Sequence, residues 1–367
     1  MSDDLLKRTR AVLPSWLAAR VFVALGYVVA VSVVHRYAPG GRTTALGDQL
    51  MAWDGTFYRD IAHVGYQNLS HDALRFFPLY PLLGRFVGVA FFGHESVALL
   101  VIANVCALAA AVLLRRLVLF ETGDHRLAER AVWLTTLFPA AFVLAWAYSE
   151  GLALLLVIGA FFALRTGRWE VAAVLGLLAA LTRPTGVLLA APFAVEAVRG
   201  FGRAPITERL ARVLAVVAPI AGLTLYLGWV DRRFGDALLP FSVQAGLRGD
   251  VVDPVSRLVR GIGDLFGPER LGDGLHAPFA VLFVVLVVVV FRHWPLSYGV
   301  YASLAVLAAL SADNLNSLER YGLNAFPILL ALAFITARPR IERLALAVSG
   351  GGMVALTALA WLNVYVP

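Results

Sequence analysis

The sequence predicts an all-α protein, a polytopic bundle of transmembrane helices that forms one domain over residues 1–367. Hydrophobic residues make up 60% of the chain and charged residues only 15%, against roughly 25% charged in an ordinary soluble domain. The apolar blocks recur from one end to the other, and no Ser/Gly-rich linker or low-complexity tract divides them. A water-soluble fold could not cover so much apolar surface.

The apolar blocks predict the individual spans, because a membrane-crossing helix needs about 20 mostly apolar residues and close-packed bundles accept shorter ones. We expect about eleven spans on this criterion, the second of them interrupted near Gly93 and His94. They cover residues 17–34, 86–114, 131–147, 151–165, 169–182, 184–199, 212–230, 277–291, 295–310, 323–337 and 344–364.

The loops between the spans differ in basic charge, and this difference predicts the orientation. Loops rich in Lys and Arg stay in the cytoplasm because these residues resist translocation. Every second connection, beginning with the N-terminal segment, is short and basic, whereas the opposite side carries two long loops, residues 35–85 and 231–276. We therefore expect a cytoplasmic N-terminus and both long loops outside.

Several function classes lack their minimum parts in this sequence. The net charge of +7 does not indicate nucleic acid, because the arginines lie between apolar blocks and form no dense cluster. Cys106 is the only cysteine, which excludes an intrachain disulfide and a cysteine-based zinc site. No His-Glu-x-x-His, Walker or Gly-x-Ser-x-Gly motif is present. Zinc hydrolysis, nucleotide-driven pumping and serine hydrolysis are therefore disfavoured.

The first long outer loop contains the most informative acidic residue. Residues 53–66 predict an amphipathic helix that lies on the membrane surface, because Phe57, Ile61 and Val64 share one helical face. Asp54 stands at the start of this helix, where an acidic side chain either caps the helix or projects into a cavity.

Four more charged residues stand at the outer ends of predicted spans. Arg75 precedes an aromatic, proline-rich stretch of the kind that anchors a helix at the interface. Glu150 requires water, an ionic partner or a ligand, so a structural ion pair and a substrate contact both remain open. Arg183, at a helix break, either holds a phosphate or extends to the membrane surface. Arg320, beside Tyr321, carries a guanidinium suited to a lipid phosphate.

Five short motifs occur in order between positions 53 and 327. They are Trp53-Asp54-Gly55 with Tyr58 and Gly65-Tyr66; Phe76-Phe77-Pro78-Leu79-Tyr80-Pro81; Phe138-Pro139 with Tyr148-Ser149-Glu150; Thr182-Arg183-Pro184-Thr185-Gly186; and Arg320-Tyr321 with Phe326-Pro327. Together they resemble the PIG-V family of mannosyltransferases, members of the GT-C superfamily of membrane glycosyltransferases.

The resemblance implies transfer of mannose from a polyprenyl- or dolichyl-phosphate donor to a lipid-linked glycan or glycolipid acceptor, with inversion to an α-mannoside. It makes Asp54 the candidate general base. A sugar phosphate leaves without protonation by an enzyme acid, so one carboxylate suffices where glycoside hydrolases need two. No metal or other cofactor is expected, because a monophosphate donor has no pyrophosphate for a metal ion to bridge.

The remaining candidates bind substrate under the same resemblance. Arg320 is the first candidate to bind the donor phosphate, and Arg183 and Arg75 are the alternatives. The candidates to bind sugar or acceptor hydroxyls are Glu150, Tyr58, Asp60 and Tyr321. Lys7 is the only lysine among 31 basic residues, a composition typical of high-GC bacteria, so we expect a bacterial cell membrane and no glycosylphosphatidylinositol acceptor.

Two alternatives belong to other classes. A transporter or lipid flippase also has broken spans and charged groups among its helices, but it is expected to show matching interrupted helices in two halves. Residues 182–186 have no such partner in the other half. A structural subunit without catalysis would require neither Asp54 nor the outer arginines.

Overall fold

The computed structural model describes residues 2–37 and 43–367. These residues form sixteen α-helices with short 3₁₀ segments between several of them and no β-sheet, so the predicted all-α class is confirmed. The helices are α1 (Ser2–Tyr37), α2 (Asp54–Val64), α3 (Leu79–Gly88), α4 (Glu95–Thr122), α5 (His125–Thr136), α6 (Glu150–Arg165), α7 (Trp169–Thr182), α8 (Ala190–Ala197), α9 (Ile206–Phe234), α10 (Leu239–Arg248), α11 (Pro254–Asp264), α12 (Asp273–His293), α13 (Leu296–Leu310), α14 (Leu318–Asn324), α15 (Phe326–Ile335) and α16 (Pro339–Trp361).

Five helices in the described part of the chain are long and apolar enough to cross a membrane, namely α1, α4, α9, α12 and α16. α14 and α15 qualify together as a sixth span that bends by 83° between them. The chain is an integral membrane protein, but the expected number of about eleven spans is not confirmed. α6, for example, has 16 residues and measures roughly 24 Å, whereas the hydrocarbon core is about 30 Å thick.

Two short apolar helices, α6 and α15, lie in the interior of the bundle. α6 and α15 are buried on nearly every side, as expected of helices that are hydrophobic all round. α6 packs against α4 and α7, and α7 packs along α9. The long helices α1 and α9 expose rows of valine and leucine on their outer faces. Long helices therefore surround a core of short ones.

The predicted interruption of residues 86–114 is present. α3 ends at Gly88 and α4 begins only at Glu95. Between them Phe92 and Gly93 have positive φ angles of 55° and 83°, which turn the chain out of a helix. The candidate membrane-crossing helix is therefore α4 alone, and α3 belongs to the preceding long loop.

α2 confirms the predicted helix in the first long loop but buries a different face. Its buried residues include Tyr58, Ile61 and Ala62, while Val64 is 39% exposed. The face differs because α2 packs against α3 and α4. The helix is thus held by protein contacts on its buried side.

α6 and α7 define two ends of the bundle. α6 runs from Glu150 to Arg165, and α7 returns from Trp169 to Thr182. We call these the Glu150 end and the Arg165 end. The start of α2 and the break after α7 lie with Glu150, whereas the basic connection between α6 and α7 lies at the opposite end.

Candidate active site

A cavity of about 310 Å³ lies at the Glu150 end. Its walls come from the start of α2, the segment before α3, the break after α7, the helix α10 and the start of α14. Segments far apart in the sequence therefore meet around one space. The charged side chains that line it are Asp54, Arg75, Arg183, Arg248 and Arg320.

Asp54 faces this cavity with 22% of its side chain exposed. It is the first residue of α2, and among the described residues its carboxylate accepts its side-chain hydrogen bond from Arg320. The preceding residue, Trp53, has a positive φ of 59° and donates its indole N–H to the carbonyl oxygen of Ala360 at 2.9 Å. A non-glycine residue in this conformation is uncommon, and such strain clusters at functional sites.

A chain of ion pairs connects Asp54 to the break after α7. Asp54 Oδ2 accepts a hydrogen bond from Arg320 Nη1 at 2.6 Å, and the same nitrogen lies 3.1 Å from Glu150 Oε1. Glu150 Oε1 also accepts from Arg183 Nη1 at 2.5 Å. Glu150 is completely buried, and its Oε2 has no hydrogen-bond partner among the described residues. It is therefore a counter-ion to two arginines and does not line the cavity.

The break after α7 depends on one close backbone approach. Arg183 has extended dihedral angles, and Pro184 begins a 3₁₀ segment that folds back on α7. A Cβ atom on Gly186 would lie 2.3 Å from the backbone of Ala179, so only glycine fits there. This turn directs Arg183 toward Glu150.

Hydroxyl groups surround the carboxylates. The backbone N–H of Asp54 donates to the Tyr148 hydroxyl oxygen at 3.3 Å. Tyr58 and Ser149 share a hydrogen bond of 2.8 Å between their hydroxyls, and Arg183 Nη1 donates to Ser149 Oγ at 3.3 Å. Burial raises the pKa of Tyr58 and of Tyr148 above the ordinary tyrosine value. Both phenols therefore stay protonated, and neither is suited to act as a base.

The start of α14 is fixed from behind the cavity. Arg320 Nη2 donates to Ser317 Oγ at 2.8 Å, and Ser317 has a positive φ of 66°. Glu319, which is completely buried, pairs with His276 Nδ1 at 2.8 Å and accepts from the Tyr365 hydroxyl at 2.9 Å. This buried cluster holds the helix that carries Arg320.

Most of the predicted site residues meet at this cavity. Asp54, Tyr58, Arg75, Arg183, Arg320 and Tyr321 line it, and Glu150 lies directly behind it. Asp60 lies elsewhere: it pairs with Arg59 at 2.8 Å and borders a second, shallower cavity with His63. We therefore leave Asp60 out of the candidate site.

Arg248 is the site residue that the sequence did not reveal. It lies at the end of α10 in the second long loop, and its Nη1 donates to the Tyr321 hydroxyl at 2.8 Å. No motif marks this arginine, and its partner lies 73 positions further along the chain. Only the tertiary fold brings the two together.

Among the residues described, no three His, Cys, Asp or Glu side chains come close enough to hold a metal ion.

The fold and the cavity define an integral membrane protein with an enzyme-like site, in which one carboxylate faces a space lined by arginines. Comparison with known protein families identifies the family to which the chain belongs. The family described as "Mannosyltransferase (PIG-V)" matches residues 34–223, which is more than half of the chain. The chain belongs to this family, so the predicted membership is confirmed, and four of the five motifs lie within the matched residues. Arg248 and Arg320 lie beyond the matched residues.

Solved structures of an oligosaccharyltransferase from Archaeoglobus fulgidus show a weak structural similarity to this chain. The complex with zinc and sulfate has 14% identity and a TM-score of 0.45, over 93% of this chain and 53% of that one. The apo form has 14% identity and the form tethered to an acceptor peptide has 13%, each with a TM-score of 0.45 over 95% of this chain and 56% of that one. The chain thus spans about half the length of these proteins. No curated protein matches the sequence.

Proposed function

We propose that the protein transfers mannose from polyprenyl-phosphate mannose to a hydroxyl of a lipid-linked glycan or glycolipid, with inversion to an α-mannoside. The observation that carries the proposal is that Asp54 has the only carboxylate side chain among the described residues that line the cavity. One carboxylate is what this reaction requires, because the departing phosphate needs no enzyme acid. A glycoside hydrolase would instead need a facing pair of carboxyl groups.

Asp54 acts as the general base in this proposal. The acceptor oxygen attacks the anomeric carbon, the bond from that carbon to the phosphate oxygen breaks, and the hydroxyl proton passes to Asp54. Arg320 holds Oδ2 of the carboxylate at 2.6 Å, while the exposed part of the side chain faces the cavity. The pair thus orients the base without covering it, and Tyr58 and Tyr321 are positioned for sugar or acceptor hydroxyls.

The charge around the cavity supports a phosphate leaving group. Four arginine side chains line the cavity, whereas Asp54 and the adjacent Glu150 are the two carboxylate side chains, so the side chains carry a surplus of two positive charges. The donor is a phosphodiester with one negative charge, and cleavage of the sugar bond adds a second charge as the monoester forms. Fixed cations act most strongly where such charge develops.

The distribution of basic residues supports an active site on the extracytoplasmic face of a bacterial cell membrane, with the N-terminus in the cytoplasm. The Arg165 end carries the short basic connections, which favour the cytoplasm. The cavity lies at the opposite end of α6. A lipid-linked donor and a lipid-linked acceptor both reach such a site from the bilayer.

The test is transfer of labelled mannose from polyprenyl-phosphate mannose into membrane lipid, with wild type compared with Asp54→Asn at equal expression. General base catalysis contributes about 100- to 10,000-fold, so Asp54→Asn should lose at least about 100-fold in rate. Asp48→Asn is the matched control, because Asp48 is an exposed aspartate of the same loop that does not line the cavity.

Each result has a distinct meaning. Transfer by wild type and Asp48→Asn but not by Asp54→Asn supports the reaction and the base. Equal transfer by all three removes Asp54 from the mechanism. Absence of transfer from every protein, with the fold intact, argues against mannose as the donor sugar and favours another sugar phosphate or transport.

A further inference from the structure

We propose that the donor phosphate is bound by Arg75 and Arg248 and not by Arg320, with α10 forming the wall along the polyprenyl chain. This inference rests on the proposed function and identifies the side chains that recognise the leaving group. It begins from a difference among the four arginines of the cavity, since two of them already neutralise carboxylates and two do not.

Arg183 and Arg320 are the two arginines already engaged. Arg320 is the cationic partner of Asp54, and together with Arg183 it neutralises the buried Glu150. If a phosphate drew Arg320 away, Asp54 would lose its partner and Glu150 would lose one of two. Removing one partner from a buried ion pair is strongly unfavourable. These two arginines are therefore suited to hold the carboxylates in place.

Arg75 has no carboxylate partner among the residues that the structure describes. Its guanidinium lies over the rings of Phe57 and Phe76, 5.0 and 4.8 Å from their centroids. These contacts fix its direction. Its Nε is buried and has no hydrogen-bond acceptor within the described residues. Its charge is thus available to a ligand.

Arg248 also has no carboxylate partner among the described residues, and it is only 9% exposed. Its Nη1 donates to the Tyr321 hydroxyl and its Nη2 to the carbonyl oxygen of Asn316 at 3.1 Å. Both partners are neutral, and its Nε is buried without an acceptor in the described part of the chain. A buried cation needs a counter-charge to offset its lost hydration. A bound phosphate supplies that charge and accepts charge-assisted hydrogen bonds.

The two arginines line one cavity from adjacent elements. α10 packs against the 3₁₀ segment His71–Arg75, so the end of each element carries one of the two cations. Phe241 and Leu247 of α10 also line the cavity. Apolar side chains next to a pair of cations match a polyprenyl phosphate, in which an apolar chain adjoins the charged group. The second long loop thus takes part in donor recognition.

Binding of undecaprenyl phosphate, which carries no sugar, tests this assignment. Titration of the purified protein in detergent micelles should give saturable binding, and neutral undecaprenol should bind much more weakly. Arg75→Gln and Arg248→Gln should each weaken undecaprenyl phosphate binding about tenfold, because each removes a charge-assisted contact. Arg248→Lys, which keeps the charge, should recover part of the loss. Arg260→Gln is the matched control, because Arg260 belongs to the same loop, is 51% exposed and pairs with Asp313 outside the cavity.

The outcomes separate this inference from the proposed function. Binding that depends on Arg75 and Arg248 supports the inference even if mannose is never transferred, because the probe contains no sugar. Binding that survives both substitutions but is lost in a folded Arg320→Gln protein overturns it. Failure of the wild-type protein to bind the probe overturns it as well. If Arg248→Gln does not fold, Arg248→Lys and Arg75→Gln decide the question.

Discussion

The two ends of the bundle each contain a network of arginines and carboxylates, and the network at the Glu150 end borders the cavity. At the Arg165 end, Glu121 Oε1 and Oε2 accept from Arg165 at 2.7 and 3.3 Å, and Tyr298 adds a bond of 3.0 Å. Glu196 accepts from Arg165 at 3.3 Å and from Ser297 at 2.6 Å. Every oxygen of these two carboxylates is therefore satisfied.

The Glu150 end contains the same residue types with incomplete pairing. Glu150 Oε2 lacks a partner among the described residues, Asp54 faces open space, and Arg75 and Arg248 have no carboxylate partner in the described chain. A fully satisfied polar network rigidifies a protein, whereas an unsatisfied one has a cost unless a ligand completes it. The difference predicts that the Arg165 end contributes to stability and the Glu150 end to chemistry.

The largest effect that tests this contrast is expected from Arg320→Gln. Loss of the guanidinium frees Asp54 from its orienting contact, and displacement of a catalytic group by about 1 Å can cost about 100-fold in rate. Transfer should therefore fall by about 100-fold. Arg59→Gln is the control, because Arg59 also pairs with an aspartate of α2 but is 41% exposed.

Rates should be normalised to folded protein, measured by a thermal unfolding transition. Transfer by folded Arg320→Gln within about twofold of wild type, a change typical of a surface substitution, would remove Arg320 from the mechanism.

The second prediction concerns Glu121→Gln at the Arg165 end. Replacing the charged partner of Arg165 breaks a mostly buried ion pair, so the free energy of unfolding should fall by about 2 kcal/mol. The rate of transfer per folded molecule should stay within about twofold of wild type. Glu170→Gln is the control, because Glu170 is exposed at the start of α7 near the same end. A large loss of rate without loss of stability would contradict the division of roles between the ends.

The sequence predicted the parts of the site that depend on local motifs. The position of Asp54 at the start of a predicted helix left a helix cap and a cavity position both open, and the family resemblance made it the candidate base. Glu150, Arg183 and Arg320 were marked by their charges at the ends of apolar blocks. Arg248 could not be predicted, because its contacts arise only when the second long loop folds onto α14.

The number of about eleven spans is not confirmed, for a related reason. Hydrophobic composition does not reveal where an apolar block leaves the α-helix. Residues Pro139–Leu144 and Pro184–Leu189 are 3₁₀ segments that the sequence presents as parts of helical spans. Each such segment shortens the helix beside it, and several blocks then contain apolar helices of only 10–17 residues, shorter than the roughly 20 residues of a typical span.

The smallest expected effect is that of Tyr58→Phe, which tests a hydroxyl group of the cavity after the charged groups. Tyr58 shares a hydrogen bond with Ser149, and its loss should slow transfer about fivefold, since one such bond contributes about 1 kcal/mol. Burial raises the pKa of Tyr58 above the ordinary value of about 10. The phenol therefore stays neutral as the pH rises toward 10, and its loss of a proton should not limit the rate there. Wild type and Tyr58→Phe should show parallel rate profiles between about pH 8 and pH 10, and a decline in wild type that is absent from Tyr58→Phe would show that Tyr58 ionises during the reaction.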